Sequence, residues 1–170
     1  MKALNEFINE RLDDESLKTK IQIKSIKGKV LFEYECKDNT IRKTLQDAAK
    51  MGILLTDANL KDANLRNGYF EDICLEGANL EGADLRNAEF TGASLKRANL
   101  EGADLRNADL HDAGLEYTTL IHANLEGANL EGASLKQANL KNANLKNAKL
   151  EGAYLEGANL EGANMKGADL

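Results

Sequence analysis

A large apolar residue occurs at every fifth position from Leu60 to Leu170 without a break, which makes 23 consecutive five-residue units. Leu fills most of these positions, and Ala stands two residues earlier in 20 of the 23 units. A repeat of fixed period indicates a solenoid, in which each unit buries its apolar residues against its neighbours. Five residues advance an α-helix by about 500°, and on a flat strand they put side chains on opposite faces. The chain therefore has to turn a corner in every unit, with Ala and Leu directed into one interior.

The outward positions indicate how many units close one coil. The segment EGADLRNAEF at residues 81–90 recurs as EGADLRNADL at residues 101–110, a shift of twenty. Twenty residues are four units, so we predict a four-sided coil and nearly six coils in total. Gly or Asn often stands two residues after Leu, where a tight corner needs left-handed backbone. With roughly 4.8 Å between coils, the solenoid is expected to be about 28 Å long.

These units resemble the pentapeptide-repeat family, whose motif is Ala-(Asp/Asn)-Leu-x-x. The motif reads here as ANLKD at residues 58–62 and as ADLRN at residues 103–107. The resemblance covers about residues 53–170 and implies a mainly β fold, the right-handed quadrilateral β-helix. Some members of the family mimic DNA and bind type II topoisomerases, including members that protect DNA gyrase from quinolones, so the resemblance implies a protein-binding role.

Residues 1–52 differ in composition and predict a small α+β cap in front of the β-helix at residues 53–170. Two amphipathic helices are expected to flank a hairpin with its turn at Lys27-Gly28, and the second helix is expected to have Asn39 as N-cap and Gly52 just beyond its end. The apolar residues that indicate these elements are Leu4, Phe7, Ile8 and Leu12; Ile21, Ile23, Val30, Phe32 and Tyr34; and Ile41, Leu45, Ala48 and Ala49. A cap covers the open end of a solenoid, and binding a partner is its alternative role.

The opposite end of the repeats carries no such segment. Leu170 is the last residue and stands three units into a coil. An uncovered coil exposes unpaired backbone groups that can pair with another chain. We therefore expect a homodimer that is joined end to end through the C-terminal coils.

Few residues are suited to catalysis or metal binding. His111 and His122 fall on different predicted sides, and the two cysteines, Cys36 and Cys74, lack the CxxC spacing of a metal or redox site. We therefore expect no enzymatic activity, no cofactor and no metal ion. Free thiols suit a reducing compartment, and the first residues contain no apolar signal core, so a cytoplasmic location is expected. No run approaches the roughly 20 apolar residues that span a bilayer, which argues against a membrane partner.

Charge distinguishes one predicted side from the other three. The net charge of −6 argues against direct nucleic-acid binding. The side of Phe70 holds eight acidic residues against Lys149, whereas the sides of Leu60, Leu65 and Leu75 are close to neutral. An acidic stripe either keeps a protein soluble or occupies the basic DNA-binding groove of a partner. The candidate partner-binding residues of this stripe are Glu71, Asp72, Glu89, Asp109, Asp112, Glu131 and Glu151.

One segment, residues 114–122, interrupts the pattern and places Tyr117, Ile121 and His122 outward. An exposed aromatic and aliphatic cluster is typical of a contact site, and neutral drift in a tolerant solenoid is the alternative. We therefore predict a non-enzymatic protein-binding solenoid. The first hypothesis is a DNA mimic that modulates a DNA-binding protein such as a type II topoisomerase. The alternative is a scaffold module that binds a protein partner through the cap or through this irregular patch.

Overall fold

The structure, a computed structural model, describes residues 18–170. Strand β1 (Lys18–Lys24), strand β2 (Val30–Lys37) and helix α1 (Ile41–Lys50) precede the repeats. They confirm the predicted hairpin and the second predicted helix. The first predicted helix lies outside the described residues, together with Leu4, Phe7, Ile8 and Leu12.

Strands β1 and β2 form a two-stranded antiparallel sheet in which Ile21 faces Tyr34 and Ile23 faces Phe32. Gly28 provides the turn between the strands and has a left-handed φ of 82°. A β-branched residue would be strained in this conformation, so glycine suits the position. The turn is thus confirmed where the sequence predicted it.

Helix α1 begins one residue later than predicted, so the assignment of Asn39 as its N-cap is wrong. The N-cap is Thr40, whose side chain accepts a hydrogen bond of 3.1 Å from the N–H of Lys43. Asn39 is buried, and its amide donates to the carbonyl oxygen of Tyr34 at 2.7 Å while its oxygen accepts from the hydroxyl of Thr44 at 3.0 Å. The amide of Asn39 therefore links the end of β2 to α1. Because its side chain makes these two hydrogen bonds, it is not available to cap the helix.

The repeats form a right-handed four-sided β-helix. Parallel bridges join the residue before each inward Leu to its counterpart twenty residues later, for example Asn59 to Asn79 and Asn79 to Asn99. The predicted four units per coil are therefore confirmed. Hydrogen bonds run along the axis from coil to coil, as in the bond of 2.7 Å from the N–H of Leu80 to the carbonyl oxygen of Asn99. Nearly every side of a coil is thus paired with the coils above and below it.

The interior contains Ala and large apolar side chains, and the corners contain left-handed backbone. The second residue after each inward Leu has a φ between 53° and 72°. The rings of Phe70 and Phe90 lie in neighbouring coils with their centroids 5.0 Å apart. Gly68 replaces the usual Ala beside Phe70, because a Cβ at this position would overlap the ring. The core therefore accommodates two aromatic rings in a space that otherwise holds Leu.

The cap elements are hydrogen-bonded to the first coil. The N–H of Ile26 donates to the carbonyl oxygen of Asp57 at 2.8 Å, and the N–H of Asn59 donates to that of Lys24 at 2.7 Å. Ile23 is buried in the same core cluster as the first inward leucines. The hairpin and α1 therefore cover the N-terminal end of the coils.

The last coil of the described chain has backbone N–H groups without an acceptor. The N–H of Leu150 donates to the carbonyl oxygen of Asp169 at 2.6 Å, but within residues 18–170 the N–H groups of Leu155, Leu160 and Met165 have no such acceptor. These three inward side chains are only half-buried, and Leu170 is 75% exposed. Backbone donors and apolar side chains are thus both accessible at this end.

Candidate protein-binding surfaces

The structure places all seven predicted acidic residues on one side of the solenoid and at the corner that follows it. Glu89 and Asp109 lie at the centre of this side in adjacent coils, where a parallel bridge joins them. The remaining five lie at the corner: Glu71, Asp72, Asp112, Glu131 and Glu151. Because neighbouring coils are about 4.8 Å apart, the carboxylates form a stripe along the axis. We call these seven residues the acidic face.

Four carboxylates of the acidic face have neither a cationic partner nor a hydrogen-bond donor among the described residues. In the described part of the chain, no Lys, Arg or His lies within ion-pairing distance of Glu71, Asp72, Glu89 or Glu151. Like charges that face each other across a sheet repel, and here Glu89 faces Asp109. These carboxylates are therefore free to interact with a cationic partner.

The other three residues of the acidic face have local contacts. Glu131 lies 3.5 Å from the Nζ of Lys149, and Asp112 lies 3.3 Å from the Nε2 of His111. Asp109 accepts a hydrogen bond of 3.0 Å from the backbone N–H of His111. Because Asp112 and Lys149 are more than 60% exposed, these contacts are solvent-screened and leave the face acidic.

Two other sides pair their charges between neighbouring coils. In four places a Lys at the corner lies beside a Glu twenty residues away, so the two opposite charges meet across adjacent coils. Asp62, Glu76 and Glu101 on these sides have no cation within ion-pairing distance in the described chain. The N–O distances on the sides of Leu60 and Leu75 are 3.0 Å for Lys61–Glu81, 3.0 Å for Lys141–Glu161, 3.6 Å for Lys96–Glu116 and 3.7 Å for Lys136–Glu156. The acidic face therefore differs from these two sides both in its excess of acidic residues and in its smaller share of carboxylates that form ion pairs.

The side of Leu65 carries the most ordered ion pairs. Arg86 donates two hydrogen bonds to Asp84, at 2.8 and 2.7 Å, and Arg106 donates two to Asp104, at 2.8 and 2.6 Å. Arg86 also lies 3.6 Å from Asp104 in the next coil. The hydrogen bonds from the two guanidinium groups hold the pKa of Asp84 and of Asp104 below the usual value. This side is therefore a ladder of alternating charge.

The residues of the irregular patch lie at two successive corners of one coil. Tyr117 is at the first corner and is 60% exposed, while Ile121 and exposed His122 form the next corner. The guanidinium of Arg97, one coil away, lies 5.9 Å from the centroid of the Tyr117 ring. This cation–π contact was not predicted from the sequence, although the separation of twenty between the two residues places them at the same corner of adjacent coils. Tyr117 and Arg97 thus lie at the same corner of adjacent coils and contact each other.

Two further features near the cap were not anticipated. Tyr69 is 59% exposed and faces Glu89, so it continues the central column of the acidic face towards the cap. A cavity of about 260 Å³ lies between α1 and the first coil, with Arg42 and Arg66 among its lining residues. The cavity could not be predicted from the sequence, because it depends on how α1 packs against the first coil and the repeat pattern does not determine that packing.

The described residues contain no arrangement suited to a metal ion. Between residues 18 and 170, no group of three or more His, Cys, Asp or Glu residues is placed to ligate one. Cys36 and Cys74 are free thiols. In the same range, α-helix of the length and apolar character that a bilayer requires is absent.

Several solved structures are similar to this chain. Rfr23, a pentapeptide repeat protein from the cyanobacterium Cyanothece 51142, is 31% identical over 69% of this chain and 88% of that chain, with a TM-score of 0.39. HetL from Nostoc sp. strain PCC 7120, which is involved in heterocyst differentiation regulation, is 32% identical over 65% of this chain and 73% of that chain, with a TM-score of 0.26. A trypsin-treated form of QnrB1, a plasmid-mediated fluoroquinolone resistance protein, is 22% identical over 66% and 64% of the two chains, with a TM-score of 0.39.

Comparison with curated proteins found no match. The family model for pentapeptide repeats matches eight copies, at residues 53–88, 73–112, 113–152 and 138–170. These segments cover the whole of the β-helix, and the twenty-residue pairing of the coils has the period that such repeats require. The chain therefore belongs to the pentapeptide-repeat family.

Proposed function

We propose that this protein is a non-enzymatic DNA mimic whose acidic face binds the basic DNA-binding groove of a protein such as a type II topoisomerase, with DNA gyrase as the first candidate. The observation that carries the proposal is the difference in charge pairing between the sides. The other three sides pair most of their carboxylates with Lys or Arg, whereas Glu71, Asp72, Glu89 and Glu151 are unpaired among the described residues. Solubility alone is served by interspersed charges of both signs, so it does not account for this segregation.

The size and rigidity of the acidic face support the proposal. The side of Phe70 as a whole, which contains the acidic face, has eight acidic residues against Lys149 along about 28 Å. This is one net charge per ~4 Å, against one per ~1.7 Å of duplex DNA. A line of like charges attracts an oppositely charged groove and raises the association rate. Because Glu89 and Asp109 lie on a backbone hydrogen-bonded to both neighbouring coils, little conformational entropy is lost on binding. The expected complex is electrostatic, forms rapidly and is sensitive to salt.

Direct binding measurements test the proposal with two matched variants. The first variant removes four unpaired charges through Glu71→Gln, Asp72→Asn, Glu89→Gln and Glu151→Gln. The control removes four paired charges through Glu81→Gln, Glu116→Gln, Glu156→Gln and Glu161→Gln. We expect a host-lysate pull-down with the wild-type chain to recover a DNA-binding enzyme, and titration of that purified enzyme to show at least a tenfold weaker affinity for the first variant only. Affinity should also fall steeply between 50 and about 300 mM salt.

Two results would contradict the proposal. Equal losses in both variants would mean that only net charge matters and that the acidic face has no special role. Unchanged affinity in the first variant would exclude the face from the interface. In either case the acidic stripe would be a solubility feature.

A scaffold role through the irregular patch is the second candidate, and the exposed ring of Tyr117 beside Arg97 favours it. Tyr and Arg are enriched among residues that dominate binding energy. Replacing Tyr117, Ile121 and His122 with Ala should abolish binding in this case, and the affinity should change little with salt. If the triple variant still binds the partner that the wild type binds, the irregular patch is not the interface.

We also propose that two copies pair end to end through the C-terminal coils in the cytoplasm. The half-buried Leu155 and Leu160, the exposed Leu170 and the unpaired N–H groups of the final coil support this pairing. The free thiols support the location, since a reducing compartment preserves them. Light scattering at micromolar concentration should give the mass of two chains, and a mass of one chain would refute the dimer.

A further inference from the structure

One arginine on the side of Leu65 lacks the carboxylate that its neighbours bind. Arg86 and Arg106 each hold the Asp two residues earlier with paired hydrogen bonds of 2.6–2.8 Å. Arg66 occupies the equivalent corner one coil nearer the cap, but Asn64 stands where an Asp would pair with it. In the described chain, no carboxylate lies within ion-pairing distance of Arg66. Asp84, the acid in the next coil, is held by hydrogen bonds from Arg86, and the charge of Arg66 contributes only at longer range to lowering the pKa of Asp84.

A second unpaired guanidinium lies next to Arg66. Arg42, in the first turn of α1, donates from Nη1 to the carbonyl oxygen of Arg66 at 2.9 Å. No carboxylate among residues 18–170 pairs with Arg42 either. The contact brings the two arginines to one place, although 24 residues separate them in the sequence. An anion bound at this place would be attracted by both positive charges.

The two arginines line an open cavity. It has a volume of about 260 Å³, lies between α1 and the first coil, and is lined by Thr40, Ile41, Arg42, Asn64 and Arg66. The first turn of α1 contains no acidic residue, so no side chain of the helix neutralises the positive potential there. The amide of Asn64 adds a neutral donor in the place of a carboxylate. We call this space the cap cavity.

We propose that the cap cavity binds a small ligand through an oxyanion, a phosphate or a carboxylate group. The planar guanidinium of Arg66 binds two oxygens of the group in the way that Arg86 binds Asp84, and Arg42 supplies the second positive charge. The volume suits one such group with a small body attached. This site is separate from the acidic face and does not depend on the proposed function.

An NMR titration of the isotope-labelled full chain tests the proposal. Inorganic phosphate and citrate are added separately at constant ionic strength, with chloride as the reference. We expect saturable shifts that are largest at the backbone amides of Arg42, Asn64 and Arg66. Saturation by phosphate, by citrate or by both supports the site and identifies the group that it prefers, and no saturable shift with either anion overturns the proposal.

Two variants and their matched controls test the geometry. Arg66→Gln should weaken anion binding at least tenfold, whereas Lys166→Gln, at the same corner of a distant coil, should leave it unchanged. Asn64→Asp should abolish binding because the new carboxylate occupies Arg66, while Asn164→Asp adds the same charge far from the cavity. Equal effects of Arg66→Gln and Lys166→Gln, or full binding by Asn64→Asp, would overturn the proposal. Unchanged amide shifts in coils remote from each substitution show that a variant is folded.

Discussion

Replacing Glu89 by Gln should make the protein more stable, although most substitutions destabilise a folded chain. Glu89 faces Asp109 across adjacent coils, and among the described residues no cation lies within ion-pairing distance of Glu89. Asp109 is the poorer choice for the experiment because it accepts hydrogen bonds of 3.0 Å from His111 and Asn129. Glu→Gln preserves the shape of the side chain and removes only the repulsion between the two carboxylates.

The expected gain follows from Coulomb's law. Two unit charges about 5 Å apart repel by ~0.8 kcal/mol in a medium with the dielectric constant of water, and by several times more in a less polar one. Both residues are half-buried, which places the effective dielectric below that of water. Physiological salt, with a Debye length of about 8 Å, removes roughly half of the repulsion. We therefore expect a gain of about 0.5–1 kcal/mol, which raises the melting temperature by about 1–4 °C in a chain of this size.

Thermal unfolding followed by circular dichroism measures this gain, and Glu81→Gln is the matched control. Glu81 lies 3.0 Å from the Nζ of Lys61, so the same substitution there removes an attraction and should lower the melting temperature or leave it unchanged. At 1 M salt the Debye length is about 3 Å, and the gain in Glu89→Gln should nearly vanish. A lower melting temperature in Glu89→Gln would refute the reasoning. So would a gain that persists at 1 M salt, because it could not be electrostatic.

Phe90→Ala should cost about 3–5 kcal/mol in urea unfolding, because it leaves a cavity beside the Phe70 ring 5.0 Å away, whereas Phe90→Leu restores the usual core residue and should cost less than ~1.5 kcal/mol. Equal costs would refute this packing. Thr40→Ala removes the N-cap acceptor of α1 and should cost about 1 kcal/mol in the same assay. No change would show that the N-cap hydrogen bond of Thr40 does not stabilise the protein. Hydrogen bonds from Arg86 lower the pKa of Asp84 in the folded state, so their stabilisation is complete above the ordinary value of 3.8 and is lost as the pH falls through the lowered folded value. Arg86→Gln should therefore flatten the decline of the melting temperature in acid, and an unaltered decline would contradict the assignment.

The repeat could be predicted from the sequence because every residue of a coil has its neighbours at a fixed distance along the chain. The inward positions of Ala and Leu, the four sides and the charge of each side all follow from the periods of five and twenty. The N-cap of α1 could not be predicted in this way. Asn39 and Thr40 are both suitable caps, and the choice between them depends on the contact of Asn39 with Tyr34 in β2. The division of the chain at residues 52 and 53 stays a prediction.

The acidic face could be located from the sequence, but the state of its carboxylates could not. Counting charges by side placed Glu89 and Glu131 together, and only the structure shows that Lys149 contacts Glu131 and leaves Glu89 unpaired. The cap cavity could not be predicted from the sequence, because the packing of α1, and not the repeat, brings Arg42 next to Arg66. Sequence periodicity therefore predicts the surface of the coils better than the junction with the cap.

In this fold a charge is easily paired, since one opposite charge twenty residues away is sufficient. Lys61 and Glu81 illustrate this arrangement, and the same separation recurs on the other neutral sides. Departures from it are therefore informative, because each leaves a repulsion or an unsatisfied charge that a single substitution could remove. Natural proteins break such local rules mainly where a site requires it. Two groups of departures have opposite signs, carboxylates in the acidic face and guanidinium groups at the cap cavity, so one solenoid presents one surface suited to a cationic partner and one suited to an anion.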